Sequence, residues 1–197
     1  MLKCGVRPLV NIEYRQSISR WQVLAFAMPL VFLACVVAAV VQAQPPGRTP
    51  GINFVPTRHN IADAMLQLAT VGPEDVVYDL GSGDGRIPII AAQKYGARGV
   101  GIELDPNLVE TAWQIANQAE VASRVNFIVG DLFEADLSKA TVVTTYLSVS
   151  MMKMLEPRLR ALAPGTRIVS HAFPMVNWAP ERRITIDEAE LFLWIVR

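Results

Sequence analysis

The residues of this chain best placed to do chemistry fall in one stretch, Val76-Val-Tyr-Asp-Leu-Gly-Ser-Gly-Asp-Gly-Arg86. An apolar run ends in a carboxylate, Asp79, and three glycines then alternate at Gly81, Gly83 and Gly85 around Ser82. Glycines so spaced after a strand let the main chain touch a ligand, because no Cβ stands between them. Arg86 sits where a dinucleotide fingerprint has its third glycine, so the loop reads G-x-G-x-G. The charge on Asp79 would repel a pyrophosphate and attract an ammonium. A cationic nucleoside with an amino-acid tail meets both conditions.

Two more acids fall at the ends of later apolar runs. Glu103 lies 24 residues after Asp79, one strand-helix-strand unit on, where a carboxylate can accept both hydroxyls of a ribose. Asp131 follows Val129-Gly130 and is placed to accept from an adenine amino group, with Leu132 and Phe133 as walls for the ring. A lone acid at a strand end is more often a cap or a solvated loop residue, and Asp105, just before Pro106, is expected to be such a cap. Three acids in register behind an alternating glycine loop reverse that reading. The predicted cofactor set is Asp79, Gly81, Ser82, Gly83, Gly85, Glu103, Asp131 and Leu132, and the ligand that fits it is S-adenosyl-L-methionine. Asp84 either joins this set or caps the following helix, and Arg86 pairs with Asp84 or a neighbour without a catalytic role. On the acceptor side, Tyr146 and His171 end the fourth and fifth predicted strands and are the candidates to line a channel for an amine; packing is the competing reading for each. Phe173 and Trp178 face a substrate or, as is expected here, cover the sheet where a helix is missing.

Alternating elements must hold these residues. Thr57 is expected to cap a helix over 58–70, ended by Val71-Gly72-Pro73. Strands follow at 75–80, 99–104, 125–129, 141–147 and 166–171. Helices lie between them at 86–95, 106–120 and 151–162, the last holding Pro157. Two strands, 184–186 and 191–196, are too close for a helix between them and read as an antiparallel hairpin. The expected fold is α/β: a doubly wound, mostly parallel Rossmann-like sheet with an antiparallel C-terminal edge hairpin, preceded by an N-terminal hydrophobic helix.

That hydrophobic helix belongs to a separate part of the chain. Residues 23–41 carry no charged or strongly polar side chain over nineteen positions, long enough to cross a bilayer. Lys3, Arg7, Arg15 and Arg20 precede it against one acid, Glu13. Two readings stand: a single-pass membrane anchor, or a signal peptide cut near Ala43. A basic flank holds the N-terminus in the cytoplasm, which puts the domain opposite the compartment that makes the cofactor. The division is 1–43 anchor or signal, 44–53 Pro/Gly linker, and 54–197 catalytic domain. Setting aside the four basic residues and one acid before the apolar run leaves 14 Lys+Arg against 17 Asp+Glu, a net charge of −3. With no basic run, this argues against a nucleic-acid partner. Both cysteines, Cys4 and Cys35, lie ahead of residue 44, and His59 and His171 are the only imidazoles. No disulfide framework and no metal site is expected.

Residues 54–180 resemble the class I S-adenosylmethionine-dependent methyltransferases. Within that class they are most similar to the lysine methyltransferases of the ATP synthase c subunit and the adenine nucleotide translocase, with their bacterial relatives. The stretches that carry this are Phe54-Val-Pro-Thr57, Asp79 to Arg86, Gly101-Ile-Glu-Leu-Asp-Pro106, Gly130-Asp-Leu-Phe133, Asp136-Leu-Ser138, Met151-Met152 with Leu155-Glu156, and Phe173-Pro174 with Trp178-Ala-Pro180. The glycine loop alone marks the superfamily; the later stretches mark the branch. The resemblance implies a protein-lysine N-methyltransferase acting near a membrane, and the family's apolar N-terminal segment favours the anchor. It matches Asp79, Gly81, Gly83, Glu103 and Asp131 to cofactor-binding positions. Bacterial relatives tend to have an acid at Ala172 and Pro174 and a Gly-Asp pair at Val176-Asn177, so the substrate-side loop is expected to differ in specificity or activity. The alternatives are methylation of a small molecule or lipid, or a non-catalytic module that binds the cofactor.

Overall fold

Strand β1 (Val76–Leu80) runs into the glycine loop at the centre of a seven-stranded sheet of order β3-β2-β1-β4-β5-β7-β6. The computed structural model describes residues 54–197; the predicted anchor and the linker lie outside them. After β1 come α2 (Arg86–Tyr95), β2 (Arg98–Glu103), α3 (Pro106–Gln118) and β3 (Val125–Val129), all preceded by α1 (His59–Leu68). The chain then crosses back to β4 (Val142–Thr145), α4 (Val149–Arg160) and β5 (Arg167–His171), and ends in β6 (Arg182–Ile186) and β7 (Ala189–Ile195). Strands β1 to β5 are parallel, while β7 is antiparallel to both β5 and β6. The chain leaves β1 toward β2 on one side and reaches β4 on the other. This reversal opens a crevice at the carboxyl end of β1, the place where such sheets bind ligands.

The two faces of the sheet follow from alternation within each central strand. Val77, Val142, Val169, Leu191 and Leu193 turn to one face and pack with Ile61, Met65 and Leu66 of α1 and Ile87 and Ile90 of α2. Their neighbours Tyr78, Val143, Ile168, Phe192 and Trp194 turn to the other, against Met152, Leu155 and Leu159 of α4. A third cluster joins Ile89 of α2 and Val109, Ala112 and Ala116 of α3 to Phe127 of β3. Central strands buried on both sides read as continuous apolar runs, which makes them legible in the sequence.

Several boundaries differ from expectation, each for a local reason. Thr57 does not cap α1: the N-cap position is Arg58, with no side-chain cap bond, and Thr57 is buried. Its carbonyl instead accepts from Arg86 Nη1 at 2.6 Å. Asp84 does not cap α2 either. It pairs with Arg86, whose Nε lies 2.9 Å from Oδ1, and the cap position is Gly85 in the left-handed region. Asp105 does cap α3, accepting from Asn107 N at 2.9 Å with Pro106 in the first turn. Helix α4 starts at Val149, two residues early, because Ser148 caps it, and it runs through Pro157 to Arg160. The C-terminal strands are longer than expected and joined by a two-residue turn. Asp187 and Glu188 have φ of 46° and 69°, the primed geometry whose twist matches a hairpin. That turn is fastened to α1, since Arg58 Nη2 donates to the Asp187 carbonyl and Asn60 Nδ2 to its carboxylate, each at 2.6 Å.

Candidate functional site

The glycine loop bends because its glycines adopt conformations other residues avoid. Gly81, Gly83 and Gly85 have φ of 77°, 55° and 75°. The loop is pinned from below: Gly81 N and Ser82 N both donate to the Ile102 carbonyl, and Gly85 N donates to the Ser82 carbonyl. The Ser82 side chain packs under the loop, where a Cβ on Gly101 would lie 2.5 Å from its Oγ, and that buried hydroxyl has no hydrogen-bond partner. From above, a Cβ on Gly81 would meet Leu147 Cδ2 at 3.1 Å and Leu132 Cδ2 at 4.0 Å. The ends of β1, β3 and β4 therefore converge on Gly81.

Asp79 is buried in the strand before this loop, and Thr144 Oγ1 of β4 donates to its Oδ1 at 2.7 Å. Burial pushes its carboxyl up to about 7; the Thr144 bond opposes the shift, and the charges of Glu103 and Asp84 add to it. A carboxyl so poised gains by meeting a cation. Glu103 is already engaged, accepting from Gly83 N at 2.9 Å on Oε2 and from Leu104 N at 2.8 Å and Asp105 N at 3.0 Å on Oε1. With about four acceptor positions on a carboxylate, room remains for one further bond, centred on Oε2. The expected grip on both ribose hydroxyls is thus shared with the task of holding Gly83. Asp131 is exposed and forms an Asx turn with Phe133 N at 2.8 Å. Leu132 faces the glycine loop. Phe133 packs against the core, and its carbonyl, like those of Leu132 and Ala135, accepts from Arg158 of α4.

The acceptor candidates come together. Tyr146 follows β4, one residue beyond the register that pairs Leu80 with Thr145, and its ring stacks on His171 with centroids 4.0 Å apart. Phe173 continues the stack at 6.2 Å from Tyr146. Burial lowers the His171 pKa, and the charge of Arg58 lowers it further; its Nδ1 is buried without a partner. The imidazole is consequently neutral at pH 7. Trp178 covers the sheet as expected. It packs on the Trp194 side of the core, its carbonyl accepts from Trp194 Nε1 at 2.8 Å, and the Arg160 guanidinium lies 4.7 Å from its ring centre. Among the described residues no group of three or more His, Cys, Asp or Glu is placed to hold a metal ion.

Thr144 and Leu147 also contribute to the site, and the sequence does not mark them for these roles. Thr144 and Leu147 belong to a β-branched and apolar run that reads as ordinary strand. Only the pairing of β4 beside β1 sets one under Asp79 and the other on Gly81.

A seven-stranded sheet with this order, a switch point at β1 and an acid-flanked glycine loop define a class I S-adenosylmethionine-dependent methyltransferase. The residues fit that cofactor: the positive-φ glycines turn the backbone sharply at the end of β1, Asp79 meets a cation, and Glu103 keeps an acceptor position. When bound, the cofactor supplies an electrophilic methyl group. A model of the ANTKMT methyltransferase domain matches residues 79–182, and the chain belongs to this family. It is 38% identical over 144 residues to a protein-lysine N-methyltransferase of Saccharolobus islandicus, covering 72% of this chain and 89% of that one. It is 36% identical over 142 residues to the mouse adenine nucleotide translocase lysine N-methyltransferase, covering 66% of this chain but only 61% of that relative's length. A crystal structure described as an RNA methyltransferase from Salinibacter ruber in complex with S-adenosyl-L-homocysteine superimposes with a TM-score of 0.71. That protein is 53% identical, and the match covers 72% of this chain and 94% of that one.

Proposed function

We propose that this enzyme methylates the side-chain amine of lysine in a protein partner. The observation that carries the reading is the Tyr146–His171–Phe173 stack at the ends of β4 and β5, beside the glycine loop. Methyl transfer to lysine needs the amine uncharged and aligned with the methyl group. Aromatic walls disfavour an ammonium stripped of water, so the amine is held in its uncharged form beside the neutral His171. Tyr146, next in sequence to the Leu147 that touches Gly81, orients the amine toward the cofactor loop. The archaeal and mouse relatives, both named as lysine methyltransferases, support the same acceptor.

The Salinibacter protein, described as acting on RNA, favours a second reading in which the acceptor is RNA. The net charge of −3 beyond residue 43 opposes it, since RNA binding rests on phosphate neutralisation. Full-length enzyme with radiolabelled cofactor, offered cell protein and purified RNA side by side, separates the two. Label in a protease-sensitive band that mass spectrometry locates on lysine is expected; label confined to RNA sinks the lysine reading. Tyr146→Phe should lower turnover and leave cofactor affinity intact, and unaltered turnover removes Tyr146 from the mechanism.

The apolar run at 23–41 is read as a single-pass anchor that holds the 54–197 domain near a membrane and near membrane-borne substrate. Full-length protein should remain with membranes after alkaline extraction; release into the supernatant would refute the anchor.

A further inference from the structure

The stretch Phe54-Val-Pro-Thr57 has no part in the chemistry described above, yet it lies against the cofactor loop. A Cβ placed on Gly83 would come within 2.1 Å of Phe54 Cε2, 2.8 Å of Cδ2 and 3.1 Å of Cζ. The edge of the Phe54 ring is therefore in contact with the backbone of the loop's middle glycine. Gly83 is also the residue whose N–H donates to Glu103 at 2.9 Å. Ring, glycine and ribose-side carboxylate meet at one point.

Phe54 is not there as core. It is 43% exposed and joins none of the three apolar clusters. What holds it is a clasp three residues away. Arg86, fixed on the loop side by Asp84 through Nε at 2.9 Å, donates from Nη1 to the Thr57 carbonyl at 2.6 Å. Between clasp and ring, Pro56 fixes its own φ and keeps Val55 extended, so the arm is short and stiff. A large aromatic ring held at the surface of a ligand loop, with a clasp for its arm, has the build of a cover.

We infer that Phe54 is a cofactor-binding residue: an aromatic cover over the Gly83 side of the S-adenosylmethionine site, positioned by the Arg86–Thr57 clasp. The ring shields the ribose side of the nucleoside from water and slows its departure. This rests on the cofactor assignment of the glycine loop, and the test keeps the two apart.

The measurement is the dissociation rate and affinity of S-adenosylhomocysteine for the full-length protein, with circular dichroism to confirm folding. Phe54→Ala should release the ligand about tenfold faster and bind it correspondingly more weakly, the loss expected for one aromatic contact. Phe54→Trp, which keeps a ring, should stay within about threefold of the wild type. Arg86→Ala, which frees the arm, should shift the rate in the same direction as Phe54→Ala. A Phe54→Ala rate within twofold of wild type, or tighter binding once the ring is gone, overturns the cover while leaving the cofactor site intact. Failure of the wild-type protein to bind S-adenosylhomocysteine overturns the cofactor assignment and the cover together.

Discussion

Asp79 should make cofactor binding strongly pH-dependent, with a sign fixed by its surroundings. Its carboxyl is raised to about 7, chiefly by burial, with the charges of Glu103 and Asp84 adding to the shift. At pH 7 it is about half protonated. An ammonium brought beside it stabilises the ionised form, so binding must expel the remaining proton. If the pKa in the complex falls well below 6, affinity rises with pH until the free carboxyl is ionised. Binding should then be about tenfold weaker at pH 6 than at pH 8, a difference of about 1.4 kcal/mol. Calorimetry at pH 7 in buffers of different ionisation enthalpy should register release of about half a proton. Asp79→Asn keeps the acceptor for Thr144 and removes the titration, so it separates this effect from ionisation of the ligand's own amine. The same shift acts on stability. A carboxyl raised from 3.8 contributes stability that is fully present below its unfolded value and lost as pH rises toward 7. Roughly three pKa units set an upper bound of about 4 kcal/mol on that loss. Asp79→Asn should therefore raise the melting temperature at pH 8 while weakening cofactor binding. A binding constant that is flat from pH 6 to 8 in the wild type, with no proton released, would refute the reasoning.

Three further outcomes are expected. Glu103→Ala removes the acceptor for Gly83, Leu104 and Asp105, so cofactor affinity should fall about tenfold or more and stability by about 2 kcal/mol, read by calorimetry and thermal unfolding. Gly85→Ala puts a Cβ 2.5 Å from Phe127 and 2.8 Å from Ala112 in a residue at φ 75°, and should cost about 3 kcal/mol in denaturant unfolding. Ala172 holds φ at 65° without the freedom of glycine, so Ala172→Gly should raise stability by about 0.5–1 kcal/mol, seen as a small rise in melting temperature.

Much of the site is legible in the sequence because local patterns dictate local backbone. Central parallel strands buried on both faces carry apolar or β-branched runs, so β1 and β4 announce themselves, whereas β3 at the sheet edge keeps an exposed face. A loop needing positive φ at alternate positions must be glycine, so Gly81, Gly83 and Gly85 do the same. The acids Asp79 and Glu103 can be found because strand ends in this architecture share one edge. Side-chain hydrogen bonds to distant main chain leave no such trace. Thr57 reads as a cap because its type suits one, but Arg86 takes its carbonyl from 29 residues away. The C-terminal hairpin is legible in the sequence, but its two-residue turn at Asp187-Glu188 is not, because Glu188 is no usual turn former and the contacts that fasten the turn come from Arg58 and Asn60 at the start of α1.

The chain's order alone determined the class of ligand: a glycine loop behind one acid, with a second acid one strand-helix-strand unit later, suits a charged nucleoside. Tertiary structure decided how those groups are set. It buried Asp79 under Thr144 and so raised its pKa, gave Glu103 three backbone donors to hold, stacked Tyr146 on His171, and laid Phe54 on Gly83. Each of these depends on segments far apart in sequence meeting at one sheet edge. Burial and charge proximity belong to that meeting and not to any stretch of residues, which is why only the folded molecule fixes them.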